Sequence, residues 1–402
     1  MHIYFHIDVN SAFLSWSALE QLESGSQIDL RTIPSIVGGD TNTRHGIVLA
    51  KSIPAKAYGI RTAEPVVNAF RKCPSLTMVP PNHTMYQQRS QALMAYLTTI
   101  CPDIEQVSID ECFMDYTPIS DKYSSPETAA AFIKDSVLER FGFTVNVGIS
   151  DRKVLAKMAS DFKKPNLVHT LYSHEVADKL WPLPVSSLFS CGHSSAETLR
   201  KLGILTIGDL AHARQDILQA HLKSHGITLW EYANGIDSST ILSEPVKMKG
   251  IGNSTTLTRD AVTKEDAYRT LLWLAESVGR RVRASHELAG MVSTEIKYAS
   301  FQSVSHQTTL EYPSASTDVI YRTACRLFDE LWDGSPIRLL GIRTSKLVPD
   351  TEPQQMSLFD YQAASPKSEK QKKLDSALDS LRGKYGKDII KRGSLLDSPK
   401  HH

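Results

Sequence analysis

The sequence predicts a multi-domain α+β protein, and three observations predict it. Residues 1–165 carry a strand–helix–strand order that repeats, 174–235 carry short helices broken by glycines, and 250–347 carry a further run of strands and long helices. At 402 residues the chain is also long enough for two to four domains, each with its own core.

The elements follow in order. Ile3-Tyr4-Phe5-His6-Ile7 is an apolar run that reads as a buried strand ending at Asp8. A helix from about Ser11 to Glu23 places Leu14, Ala18, Leu19 and Leu22 on one face. Short strands are expected over 33–38 and 46–50, and a helix over 85–100, where Tyr86, Leu93, Tyr96, Leu97 and Ile100 recur. Strands near 104–109 and 112–116 flank Asp110 and Glu111. Ser125 and Pro126 open a helix that runs to Phe141, because proline is tolerated in a first helical turn. Residues 144–149 alternate as a strand, and a helix spans Lys153 to Phe162. Ser238 to Lys249 is polar and without periodicity, so it reads as a linker. Beyond it come a helix (264–285), two strands (291–298 and 303–310), a helix (317–332) and a last strand (337–346). From residue 349 the composition turns to Asp, Glu, Pro, Gln and Lys, which predicts a flexible tail. Within it, 368–392 forms an amphipathic helix with Leu374, Leu378 and Leu381.

Bulk properties exclude some classes. No apolar run approaches the ~18 residues of a membrane span. No basic segment followed by an apolar core opens the chain, so no signal peptide is read. The five cysteines lack Cys-x-x-Cys spacing, which predicts free thiols in a reducing cytoplasm and no structural zinc. The net charge of +1 is neutral on nucleic acid, although the final third is mildly basic.

Asp8, Asp110 and Glu111 are the residues with chemistry. Two distant strands that deliver acids at their ends suggest a divalent-metal site. Neighbours on a regular strand point to opposite faces, so Asp110 and Glu111 can share a site only at a strand end or turn. Three such carboxylates suit two Mg²⁺ ions about 3.5–4 Å apart, an arrangement used for in-line phosphoryl transfer. On these residues alone, acids solvated at strand ends are the favoured reading for any one of them.

The surrounding motifs are more specific. Asp8-Val9-Asn10-Ser11-Ala12-Phe13, Ser108-Ile109-Asp110-Glu111, Val147-Gly148-Ile149-Ser150 with Arg152 to Lys157, and Lys163-Lys164-Pro165-Asn166 occur in this order. Together they resemble the Y-family translesion DNA polymerases of DinB type, over Met1 to about Leu347 plus a tail motif. The resemblance implies a right-hand polymerase: a split βαβ palm (1–19 and 82–168), small fingers (20–81), a helical thumb with a helix-hairpin-helix (169–237), a linker (238–249), an α/β little finger (250–348) and a tail (349–402). It implies template-directed, error-prone synthesis in the cytoplasm by a monomer acting on primer-template DNA and dNTP. Asp8, Asp110, Glu111 and the Val9 carbonyl match the ligands of two Mg²⁺ ions. Phe13 matches the steric gate against the ribose 2′-hydroxyl, and Lys56 and Lys164 match triphosphate ligands.

Some positions depart from the family pattern. Ile53 and Lys56 stand where Tyr and Arg are frequent. Ile53 cannot donate a hydrogen bond, and Lys56 lacks the bidentate fork of Arg. Arg44 or Lys51 are candidate substitutes. Asn10 stands where an acid is frequent, which suggests that no ligand is needed there. Ser190 replaces a common glycine in the expected hairpin, whose Gly192 is a candidate DNA contact, as are Arg283 and Arg343. Gln355-Met356-Ser357-Leu358-Phe359 resembles the bacterial sliding-clamp peptide. A catalytically weak, clamp-recruited DNA-binding protein and a palm-fold nucleotidyl cyclase are the two other readings.

Overall fold

The run Tyr4–Val9 forms β1, the middle strand of a five-stranded sheet, and five of its six residues are buried. The computed structural model describes residues 2–40, 44, 46–242, 247–352, 366–386, 389–390 and 392–393. The chain forms two units, residues 1–41 with 46–245, and 42–45 with 246–402. In the first unit β1 leads to α1 (Ala12–Glu23), β2 (Ser35–Gly38), β3 (Val48–Lys51), α2 (Ile53–Ala57), α3 (Val66–Lys72) and β4 (Thr77–Val79). There follow α4 (His83–Ile100), β5 (Ile104–Gln106), β6 (Glu111–Asp115), α5 (Pro126–Phe141), β7 (Val145–Ser150), α6 (Lys153–Ser160) and β8 (Val168–Thr170).

The large sheet has the order β5-β6-β1-β7-β8, antiparallel except for the β7–β8 pair. Strand alternation divides β1 between two faces. Phe5, Ile7 and Val9 enter the main core with Trp16, Leu93 and Ile133. The opposite face carries His6 and Asp8 and is covered by α6. Gly148 of β7 permits that cover: a Cβ there would lie 2.0 Å from the Ala156 carbonyl oxygen. Local chemistry sets the helix ends. Asn82 accepts the Met85 N–H to start α4, Ser125 accepts the Thr128 N–H to start α5, and Gly142 (φ 73°) ends α5 in the left-handed region.

A three-stranded sheet, β3-β2-β4, is smaller and holds its own apolar cluster around Ile36, Val48 and Val66. After β8 the first unit is helical: α7 (His193–Lys201), α8 (Ile207–Ala211), α9 (Gln215–Leu222) and α10 (Ser224–Ala233) pack around Leu199, Leu210, Leu218 and Leu229.

The second unit runs β9 (Gly250–Ala261), α11 (Lys264–Ala284), β10 (Glu287–Tyr298), β11 (Ser303–Ser314), α12 (Thr317–Leu331), β12 (Ile337–Pro349) and α13 (Pro366–Tyr385). Its sheet, β11-β10-β12-β9, is antiparallel throughout. Leu271, Leu274 and Val278 of α11 join Phe328 of α12 and Ile296 and Leu340 of the sheet in one core. The chain is thus an α+β protein of several layers.

Within the tail, the expected amphipathic helix forms over Pro366–Tyr385, and there the described residues are packed rather than flexible. α13 is fastened by charge: Asp375 accepts the Thr317 N–H at 3.0 Å, Asp379 receives Arg283 at 2.6 Å, and Arg382 and Arg392 meet Glu276 at 3.0 and 2.9 Å. The opposite charges lie about a hundred positions apart, so no local pattern in the sequence reveals them.

Candidate active site

β1 and β6 pair so that Asp8 stands directly opposite Glu111. Register partners share a face, so both carboxylates lie on the α6 side of the sheet. Asp110 precedes the first residue of β6, and its carbonyl accepts the Val9 N–H at 3.0 Å. Leaving the strand at this point lets the Asp110 carboxylate face a cavity of about 610 Å³. Ser108 steadies it by donating to Oδ1 at 2.6 Å. The same cavity is lined by Asp8, Val9, Phe13 and Lys164, and by Lys51, Ile53 and Lys56 from the smaller sheet and the helix after it. Glu111 is beside this cavity rather than in its lining, and Lys157 of α6 binds it.

The acids are unequal. Burial pushes the Asp8 carboxyl above its ordinary range, opposed by Lys164 at 2.5 Å. Lys164 also meets Asp161 at 2.8 Å, and these two carboxylates raise its pKa although burial works against its charge. Glu111 goes the other way. The His6 imidazole, and then Lys157, hold its carboxyl down at about 2 against the effect of burial. The His6 Nε2 lies 3.3 Å from Glu111 Oε2 but outside hydrogen-bond geometry, whereas the Lys157 ammonium donates to Oε2 directly. His6 itself is buried, which lowers its pKa, and its Nδ1 is 2.8 Å from the Ser160 hydroxyl.

A stability consequence follows for the metal-free protein. Glu111 has a folded pKa below its ordinary 4.5, so its ionised form stabilises the fold above that value. This contribution, about 3 kcal/mol at most, is lost as pH falls from about 4.5 to about 2. Glu111→Gln is expected to flatten the acid side of the stability profile in urea denaturation. An unchanged acid limb contradicts the assignment. Asp8, shifted upward, works in the opposite sense, and the Gln variant isolates the Glu111 part.

Phe13 lies in the first turn of α1, half-buried, with one face packed and part of the ring lining the cavity. It stacks on Tyr86 of α4 with centroids 4.4 Å apart and planes 8° apart, and His83 meets it edge-on at 6.1 Å. Asn10 lines the same cavity, and its side chain fastens the neighbouring loop. Its amide donates to Asn146 Oδ1 at 3.2 Å and accepts the Asn166 N–H at 2.9 Å, while Asn146 donates to the Lys163 carbonyl at 2.7 Å. This pair of amides anchors the segment that carries Lys164.

Sequence reasoning missed the roles of Lys157, His6 and Tyr86. His6 sits on an expected strand, Lys157 in a family motif and Tyr86 on an expected helix, but nothing local shows which acid or ring each meets. Of the two candidate substitutes, Arg44 is paired with Asp260 at 2.5 Å, whereas Lys51 lines the cavity.

The expected DNA contacts separate. Gly192 caps α7, and a Cβ there meets nothing within 4 Å, so the glycine leaves open space before the helix N-terminus. Ser190 adopts φ 68°, the left-handed conformation that explains why glycine suits its position. Arg343 is exposed on β12 between Gly252 and Ser293 in register. Arg283 is corrected: it binds Asp379, donates to the Ala315 carbonyl at 2.7 Å and lies 3.5 Å from Asp375, so it anchors α13. Gln355, Leu358 and Phe359 lie outside the described residues.

Among the described residues no three His, Cys, Asp or Glu side chains are gathered closely enough to hold a metal ion. The donors suit one chemically. Carboxylates and a carbonyl are hard oxygen ligands, and two of the three carboxylates already meet cationic charge from Lys164 and Lys157. No helix of the described residues is long and apolar enough to cross a membrane.

Comparison with known proteins agrees with this geometry. The model of the impB/mucB/samB family matches residues 7–161, and that of the family's C-terminal domain matches 248–358. A protein of Clostridium acetobutylicum named DNA polymerase IV is 45% identical over 395 residues, 98% of each chain. The DNA polymerase IV of Alkaliphilus oremlandii is 36% identical over 98% of this chain and 99% of its own. DNA polymerase IV 1 of Bacillus subtilis is 35% identical over 98% and 93%. Among solved structures, a Y-family DNA polymerase chimera superposes with a TM-score of 0.74 at 22% identity, covering 86% of this chain and 99% of that one, which speaks to the fold. With relatives this similar over nearly their whole length, the chain belongs to the impB/mucB/samB family, the Y-family polymerases of DinB type.

Proposed function

We propose that the protein is a DNA-dependent DNA polymerase of the translesion type, which joins deoxynucleotides to a primer 3′ end. The observation that carries the reading is the cavity itself. It brings Asp8 of β1 and Asp110 just before β6, an aromatic ring beside the first acid and several ammonium groups to one space of about 610 Å³. That combination suits a nucleoside triphosphate: cations for the phosphates, a flat apolar surface for the sugar and acids for the reacting end. In this reading the five-stranded sheet is the palm, the small sheet the fingers, α7–α10 the thumb and the β9–β12 unit the little finger.

Chemistry proceeds by in-line attack of the primer 3′ oxygen on the α-phosphorus, with pyrophosphate leaving. Asp8, Asp110, Glu111 and the Val9 carbonyl are the groups that would hold divalent cations. Bound Mg²⁺, two ions in this proposal, supplies positive charge that acidifies the 3′-hydroxyl and stabilises the leaving group. Lys164 and Lys56 bind phosphate oxygens, Lys164 exchanging part of its contact with Asp8 and Asp161 for them. Asn10 and Asn146 keep the Lys164 loop in place. Phe13, backed by Tyr86, limits the space beneath the sugar.

Gly192 at the start of α7 and Arg343 on the sheet of the second unit are the proposed contacts to the DNA backbone. The segment Gln355–Phe359, through Leu358 and Phe359, is the proposed anchor to the bacterial sliding clamp, and a tether of this kind raises local concentration at the primer end. Leu358→Ala combined with Phe359→Ala is expected to leave basal synthesis intact and to remove stimulation by the clamp. Stimulation that persists in the double variant argues against the anchor. A reducing compartment such as the cytoplasm fits the five free cysteines.

Primer extension with Mg²⁺, on matched templates and with no template, tests the function. Base selection must follow the template. Turnover of a nucleoside triphosphate that ignores the template favours a cyclase-like activity and overturns the reading.

A further inference from the structure

We propose that Lys51, with the Thr62 hydroxyl beside it, binds the triphosphate of the incoming nucleotide and replaces the hydrogen-bond donor that Ile53 lacks. The proposal rests on the polymerase reading above and deepens it.

Lys51 is the last residue of β3, in register with Ile36. Its neighbour Ser52 fixes the chain there. The Ser52 hydroxyl donates to the Ile33 carbonyl at 2.8 Å and accepts the N–H groups of Ser35 and Ala55 at 3.1 and 3.0 Å. From this fixed backbone the Lys51 side chain lines the cavity, and its Nζ donates to Thr62 Oγ1 at 3.2 Å. Thr62 lines the same space. Ile53, two positions on, is 61% exposed and offers only methyl groups.

The charge pattern separates Lys51 and Lys56 from the other cations of the cavity. Lys164 is matched by Asp8 and Asp161, and Arg31 by Asp29. Among the described residues, no carboxylate forms an ion pair with Lys51 or Lys56. Glu64, whose charge reaches Lys51, is itself bound to Lys72 at 2.5 Å. Burial, and then the like charge of Lys56, lowers the Lys51 pKa. An unmatched, partly buried ammonium beside a second one is unfavourable until an anion joins them. A triphosphate carries several negative charges and offers many acceptor oxygens. It can meet Lys51 and Lys56 from the fingers and Lys164 from the palm around one cavity, with Thr62 adding a neutral donor.

The test is single-turnover incorporation by the full chain on a primer-template, reading the apparent Kd of the complementary dNTP and the rate at saturation. Lys51→Met is expected to weaken dNTP binding about tenfold, ~1.4 kcal/mol, with the affinity for primer-template unchanged. Lys51→Arg should recover most of the loss. Ile53→Tyr should restore binding in the Lys51→Met background but change little alone. If Lys51→Met is poorly folded by thermal melting, Lys51→Gln takes its place. A Kd equal to wild type, or a loss shared equally with primer-template binding, overturns the proposal while polymerisation by the wild type still stands. A wild type that incorporates nothing overturns the polymerase reading itself.

Discussion

Asp110→Ala is expected to lower primer extension on the order of a thousandfold while leaving the fold and the affinity for primer-template essentially intact. Asp110 is the cleanest of the three acids for this purpose. Its carboxylate faces the cavity and receives the Ser108 hydroxyl, and among the described residues it forms no ion pair. Removing it strands no cation. The other two acids are different. Asp8→Ala frees Lys164 from one of its two carboxylates, and Glu111→Ala leaves Lys157 partly buried without its partner. Loss of one half of a buried ion pair is itself destabilising. Activity lost in those variants therefore mixes chemistry with stability, whereas Asp110→Ala isolates the chemistry. Extension at close to the wild-type rate would remove Asp110 from the proposed machinery.

The sequence discloses this site unevenly, for physical reasons. Asp8 is legible because an apolar strand ends at it, and Asp110 with Glu111 because two strand-like runs flank them. That Asp8 faces Glu111 depends on the β1–β6 register, which no residue near either acid encodes. Phe13 is legible only through the family resemblance, by its place five residues after Asp8, and its partner Tyr86 comes from a helix some seventy residues on. β4 and β8 escape notice because each is only three residues long, and β9 because Gly, Ser, Thr and Asn dilute its alternation. Arg283 reads as a surface charge in a basic run. Its carboxylate partners lie in a tail whose composition suggests disorder, so burial of the charge emerges only from the tertiary packing. Asn10 shows the converse case. A departure at one position implies that no ligand is needed there, and the amide is employed in fixing the Lys164 loop.

Phe13→Ala should raise incorporation of ribonucleotides relative to deoxynucleotides on the order of a hundredfold, with the deoxynucleotide rate falling much less. The argument is steric. A ring that can tilt away is a poor barrier to one added hydroxyl. This ring is clamped: it lies nearly parallel to Tyr86, with His83 at its edge and Trp16 with its centroid 6.3 Å away. Tyr86 is wholly buried and further fixed by a 2.7 Å hydrogen bond to Ser17, so the plane behind the ring cannot easily retreat. The discrimination should therefore depend on Tyr86, although that side chain is behind Phe13 and not beside the sugar. Tyr86→Phe keeps the stack and should keep sugar selection, losing only the bond to Ser17. Tyr86→Ala removes the support and should relax selection in the same direction as Phe13→Ala but less far. Its cost in stability, about 3–5 kcal/mol for a large buried aromatic, must be followed by thermal melting. Competition between paired dNTP and rNTP substrates gives the readout, since a ratio is insensitive to the fraction of folded enzyme. A ratio unchanged by Phe13→Ala assigns the ring to the core alone. A ratio moved by Phe13→Ala and untouched by Tyr86→Ala shows a gate that stands without its backing.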